Sequence, residues 1–163
     1  MLLEERLQEL LAAQTPVTVV FCDLDRFKDI NDTHGHAVGD EVLRVTGHRL
    51  AKHPADADVV ARIGGDEFVV VISGADQDDS ALVLERIDRA VAGHPVHAGD
   101  LRLSVTSSLG LVREPDRPER RLPQARRVEE LLSRADREMY AHKRLRAAMS
   151  LLLTRAQERP DQG

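Results

Sequence analysis

The apolar positions of this 163-residue chain switch between a helical period and uninterrupted β-branched runs. Leu2, Leu3, Leu7, Leu10 and Leu11 recur at helical spacing and predict an amphipathic helix over Leu2–Ala13, which Pro16 stops. Val17-Thr18-Val19-Val20-Phe21-Cys22 lacks polar alternation, as expected of a strand buried on both faces. A short helix is predicted over Phe27–Thr33, broken at His34-Gly35-His36. A longer helix over Ala37–His53 carries Val38, Val42, Val45 and Leu50 on its apolar side. Val59–Ile63 and Phe68–Ser73 read as strands joined in a hairpin through Gly64-Gly65. Asp78–Ala92 reads as a helix with Leu82, Leu84, Ile87 and Val91 toward the core, and Leu101–Val112 as one long strand. Glu114–Arg127, rich in proline and arginine, reads as a loop. From Arg126 a helix runs through Tyr140, taken as a core residue, as far as Gln157, before a polar end.

This order predicts an α+β fold, an antiparallel central sheet of about four or five strands flanked by helices. A doubly wound sheet is the competing architecture, but no glycine-rich phosphate loop follows the first strand. Neither Gly-x-x-x-x-Gly-Lys nor Gly-x-Gly-x-x-Gly occurs.

Composition narrows the picture. Aromatic residues make up 2% and tryptophan is absent, so aliphatic side chains must fill the core, and the shortage argues against stacking platforms for single-stranded nucleic acid. The net charge of −5, without a basic stripe, argues against a nucleic acid polymer as partner. The single cysteine, Cys22, excludes an internal disulfide, reads as a small buried hydrophobe, and fits a reducing cytoplasm, the expected location. No apolar stretch approaches the ~18 residues of a membrane span.

The candidate chemistry lies where apolar runs end in acids. Asp23-Leu24-Asp25 follows the first strand, and Gly64-Gly65-Asp66-Glu67 forms the tip of the hairpin. If those strands pair, the carboxylates meet across a short gap. Hard carboxylate oxygens suit Mg²⁺ or Mn²⁺, which bridge to substrate phosphates. Two such ions can clamp the attacking and leaving oxygens of an in-line phosphoryl transfer. The helix start after Asp23 offers backbone N–H groups to phosphate, with Lys28 as a nearby point charge. Asn31 and Asp40 can together read a guanine edge, although Asn31 alone is equally a cap or turn residue and His36 alone a loop histidine.

Asp-Leu-Asp-Arg-Phe-Lys-Asp-Ile-Asn-Asp-Thr-His-Gly-His-Ala-Val-Gly-Asp (residues 23–40), then Arg-Ile-Gly-Gly-Asp-Glu-Phe (62–68), resembles the GGDEF domain of diguanylate cyclases. The likeness continues through Ser108-Leu109-Gly110 and from Ala135-Asp136 to Lys143. It implies a palm-like fold related to nucleotidyl cyclase and polymerase palm domains. It also implies condensation of two GTP molecules to cyclic di-GMP with release of two pyrophosphates, across a homodimer. Carried over, Asp23, the Leu24 carbonyl, Asp66 and Glu67 fall on metal positions, with two divalent ions per site. Asp66, Glu67 and Lys28 fall on catalytic positions, Asp66 promoting deprotonation of the attacking 3′-hydroxyl and Lys28 stabilising the transition state. Phe27, Asn31, His36, Asp40, Lys143 and Arg146 fall on substrate positions, with Asn31 and Asp40 on guanine and Lys143 on phosphate. Asp40 favours GTP over ATP. A GTP-binding regulatory module without turnover is the alternative.

Three departures from the family pattern carry expectations. The segment Asp-x-Leu-Thr-Gly-Leu-x-Asn-Arg, which in the family precedes the helix beginning here at Leu2, does not occur, and the expectation is a truncated chain or an aberrant start. The Arg-x-x-Asp of the product-inhibition site reads Ala55 and Asp58, so little feedback inhibition is expected there. The Gly-Arg after the last lysine reads Arg146-Ala147, making Arg146 the candidate to take over that phosphate contact. The resemblance places the catalytic domain at residues 1–146 and a helical extension with polar tail at 147–163. In that extension Met149, Leu151, Leu152 and Leu153 form an apolar cluster, read as packing on its own domain or as a partner surface. A sensor or dimerising domain is expected outside this chain.

Overall fold

A computed structural model describes residues 3–52, 57–74, 80–114 and 123–157, with the side chains of 57–58 and 150–157 outside the description. The chain runs α1 (Leu3–Ala12), β1 (Val17–Leu24), α2 (Phe27–His34), α3 (His36–Lys52), β2 (Ala57–Arg62), β3 (Glu67–Ser73), α4 (Ser80–Ala92), β4 (Val96–Ala98), β5 (Leu101–Leu103), β6 (Ser107–Glu114) and α5 (Gln124–Gln157). Four strands form one antiparallel sheet in the order β2-β3-β1-β6, and β4 and β5 form a separate hairpin.

Strand β1 is buried along its whole length because it is central and both its faces are covered. Alternation divides the core in two. Val20, Cys22, Leu24, Phe68 and Val70 point to the side packed by α2, α3 and α4, against Phe27, Val42, Leu50 and Ile87. Val17, Val19, Phe21, Val69 and Val71 point to the side packed by α1 and α5, against Leu7, Leu11, Leu131, Ala135 and Met139. A Cβ at Gly110 would lie 2.0 Å from the Met139 nitrogen and 2.3 Å from the Ala135 oxygen, so only glycine lets α5 rest its backbone on β6.

The sheet matches the sequence reading, and four details differ. Leu101–Val112 is not one strand. Leu101–Leu103 pairs with β4 around Gly99 (φ 58°), while Ser107 onward pairs with β1. Leu82 is 48% exposed and Val83 is buried in its place, because the inward stripe of α4 runs Val83, Ile87, Ala90, Val91. Tyr140 is 60% exposed: Val128, Leu131, Ala135 and Met139 set the inner face of α5, and Tyr140 sits about 100° beyond it. The expected loop yields residues 124–127 to α5, and residues 115–122 lie outside the description. So do Ala55 and the side chain of Asp58. No described helix is long and apolar enough to cross a membrane.

Candidate functional site

The antiparallel ladder sets Asp23, near the end of β1, directly opposite Glu67 at the start of β3. Asp66 joins them through its backbone, since the Leu24 amide donates to the Asp66 carbonyl at 3.2 Å. The β2–β3 turn is closed by the Ile63 amide on the Glu67 carbonyl (3.0 Å) and by the Arg62 guanidinium on the Gly64 and Gly65 carbonyls (3.1 Å each). A Cβ on Gly64 would meet Glu67 Oε2 at 2.3 Å, so glycine there lets the carboxylate fold back over the turn.

Helix α5 answers this acidic cluster with cations. Lys143 Nζ reaches Asp23 Oδ1 at 2.7 Å, and Asp23 is 4% exposed. Burial raises the Asp23 carboxyl above its ordinary value, and Asp66 and Asp25 push it the same way against the pull of Lys143. Glu67 is raised by burial first, then by Asp23, Asp66 and Asp136. Burial alone would lower Lys143, but the hydrogen bond and charge of Asp23, with Asp66 and Asp25, raise it. Burial leads the two carboxyl shifts and opposes the Lys143 shift, while the crowded carboxylates push all three upward.

Asp25 is a second node. Its carboxylate accepts from Thr106 Oγ1 (2.8 Å) and Ser108 Oγ (2.7 Å) and pairs with Arg146 (3.3 Å), while its amide donates to the Thr106 carbonyl (2.9 Å). Arg146 also donates to the Ser107 carbonyl.

The other expected residues sit on α2 and α3. Arg26 adopts a left-handed conformation (φ 57°) at the N-cap of α2, and no side chain caps that helix start. Phe27 is buried as a plug beneath it, and Lys28 is exposed on its first turn. Asn31 is half-buried against α3, where a Cβ on Gly39 would fall 1.9 Å from Asn31 Oδ1. Asp40 follows Gly39 and His36 opens α3, both exposed. The structure therefore brings Asp23, Asp66, Glu67 and Lys143 together around buried Leu24, with Arg146 one node away, and sets Lys28, Asn31, His36 and Asp40 along the adjoining α2–α3 wall. Sequence reasoning assigns no role to Asp25 as a hub or to Thr106, Ser108 and His142, and Ser108 enters it only as part of the family likeness. A run of hydroxyl residues entering a buried strand was the available signal for Thr106 and Ser108.

Among the described residues, no three His, Cys, Asp or Glu side chains stand ready as a metal cluster. One oxygen of Asp23 faces Lys143 instead. The donor set nevertheless fits a hard divalent cation: all its atoms are oxygens, and Asp23, Asp66 and Glu67 crowd together against the positive charge of Lys143.

The family model for "Diguanylate cyclase, GGDEF domain" matches residues 1–148, and the chain belongs to that family. Among its relatives is the response regulator PleD of Caulobacter vibrioides, 41% identical over 133 residues, which cover 78% of this chain and 27% of that protein. Diguanylate cyclase DgcZ of Escherichia coli is 32% identical over 126 residues, 77% of this chain and 40% of that protein. The GGDEF domain of DgcB from Caulobacter crescentus, solved in complex with c-di-GMP, superposes with a TM-score of 0.69 at 27% identity, covering 87% of this chain and 80% of that one. The chain thus spans less than half the length of these two curated relatives.

Proposed function

We propose that this chain is the catalytic domain of a bacterial, cytoplasmic diguanylate cyclase that condenses two GTP into cyclic di-GMP. The observation that carries this reading is the cross-strand placement of Asp23 against Glu67, with Asp66 beside them and Lys143 on Asp23. The domain spans residues 1–146; α5 continues to Gln157, and the sequence beyond it, 158–163, is mostly polar.

Asp23, the Leu24 carbonyl, Asp66 and Glu67 would hold two Mg²⁺ or Mn²⁺ ions, which when bound supply charge neutralisation at the phosphates. The protein's residues do the rest. The uncapped start of α2 presents N–H groups to phosphate oxygens, and Lys28 adds a positive charge to the transition state. Phe27 seats that helix, Asn31 and Asp40 hold the guanine edge, and His36 lies at the rim. Lys143 moves from Asp23 to phosphate when the site fills. Asp66 accepts the proton of the 3′-hydroxyl as that oxygen bonds to the α-phosphorus of the second GTP, and pyrophosphate leaves. Each protomer holds one GTP, so two protomers must face each other, brought together by a sensor or dimerising domain elsewhere or by high concentration.

A second reading has one specific observation behind it. Arg146 is engaged by Asp25 and the Ser107 carbonyl, and position 147 is alanine, so a phosphate contact is lost. A GTP-binding regulatory module would result.

Incubation with GTP, ATP or both in Mg²⁺, at low and high protein concentration, separates these readings by product identification. Cyclic di-GMP from GTP alone is expected, rising more than linearly with protein, and Asp66→Asn should lower it by at least ~10²-fold. No product at high concentration or after forced dimerisation, with GTP still bound, selects the regulatory module.

A further inference from the structure

Among the described residues, strand β6 is the outer strand of the sheet and pairs only with β1, so the N–H and C=O of every second residue face away from the ladder. Two side chains of α5 meet these groups. His142 Nδ1 accepts the Leu109 amide at 3.0 Å, and Arg146 donates to the Ser107 carbonyl. The spacing is matched. Four residues of helix rise about 6 Å, and two residues of strand about 6.6 Å. The donor and acceptor of one element thus face the acceptor and donor of the other in register. Above this clamp, Gly110 lets the α5 backbone touch β6 at Ala135 and Met139. Lys143, next to His142, reaches Asp23, and Arg146 reaches Asp25.

We propose that His142 is a positioning residue: by accepting the Leu109 amide it fixes the rotation and height of α5 that bring Lys143 to Asp23 and Arg146 to Asp25. An imidazole accepting at Nδ1 carries its proton on Nε2, so the neutral ring is the one that works. His142 also walls a cavity of about 370 Å³ with Leu84, Glu85 and Asp88 of α4 and with Arg146. Water from that cavity can reach the Leu109 amide when the ring is removed, so loss of the clamp need not unfold the domain. The link to turnover rests on the cyclase reading above; the placement of α5 does not.

The full chain, His142→Ala and His142→Asn carry the test, since the Asn Oδ1 accepts near the place of Nδ1. Two readouts need no nucleotide: hydrogen exchange of the Leu109 amide, and the Lys143 side-chain ¹³Cε resonance, with Asp23→Asn marking the broken pair. His142→Ala should exchange Leu109 at least ~10-fold faster and move Lys143 toward the Asp23→Asn position, with His142→Asn restoring both. The KM for GTP should rise roughly three- to tenfold in His142→Ala and return in His142→Asn, whereas mere loss of folded protein lowers apparent kcat and leaves KM alone. Unchanged Leu109 exchange in His142→Ala, or faster exchange with the Lys143 signal unmoved, overturns the proposal. If wild type makes no product, the cyclase reading fails while the two magnetic-resonance readouts still decide the role of His142.

Discussion

Glu67 is held in conflict with its surroundings. Burial and three neighbouring carboxylates raise its pKa, so its charge at neutral pH disfavours the ion-free fold. Glu67→Gln removes that charge and keeps the shape. Its Tm without divalent ions should rise by roughly 1–3 °C, its Tm gain on adding Mg²⁺ should shrink, and turnover should fall by at least ~10²-fold. Thermal melts with and without Mg²⁺ check this, and a lower ion-free Tm would show that the carboxylate is structural. The acids were legible in the sequence because they interrupt apolar runs at strand ends. Their link to Lys143 was not legible, because 120 residues separate Asp23 from its partner and no periodicity reports that distance.

Between elements, two glycines make opposite demands. At Gly39 an added Cβ meets mainly the far end of one side chain, Asn31. Asn31 can rotate away, and alanine gains up to ~1 kcal/mol of helix propensity in α3. Gly39→Ala should therefore shift stability by no more than ~1 kcal/mol yet weaken GTP binding about tenfold, because the Asn31 amide, which we propose reads guanine, is turned aside. At Gly110 the Cβ meets the backbone of α5, which has nowhere to go. Gly110→Ala should cost about 3 kcal/mol and impair everything α5 carries. Urea unfolding and nucleotide titration of both variants separate the two cases. Helix and strand periods found most elements, including the central sheet. They missed β4, although Gly99-Asp100 between short apolar runs is a hairpin signal, and they fused β5 with β6 because Leu101, Leu103 and Val105 alternate with polar residues up to Ser107 with no glycine or proline between them. The faces of α4 and α5 shifted by one residue at Leu82 and Tyr140, since apolar residues occupy adjacent positions and only packing chooses between them.

Across the whole molecule, Cys22 reports global opening. It lies fully buried at the middle of the sheet, and burial pushes its thiol up to about 12 from 9.0. Below 9.0 the folded and unfolded chains both keep the proton. Between these values the unfolded chain releases it and the folded chain does not, so stability falls as pH rises. Urea midpoints at about pH 8 and about pH 10.5 should fall more for wild type than for Cys22→Ala. Equal losses would place the alkaline sensitivity elsewhere.

The ladder that sets Asp23 opposite Glu67 has a consequence for how this chain can vary in length. The distance between those acids depends on strand register and not on the residues that connect them. Insertions in the turns between β1 and β3 should leave the pair intact. A single residue added within either strand would turn one acid to the opposite face of the sheet. In α5 one deletion ahead of His142 would swing Lys143 and Arg146 by about 100°. Length variation among working relatives should accordingly gather in the turns and stop at these three elements.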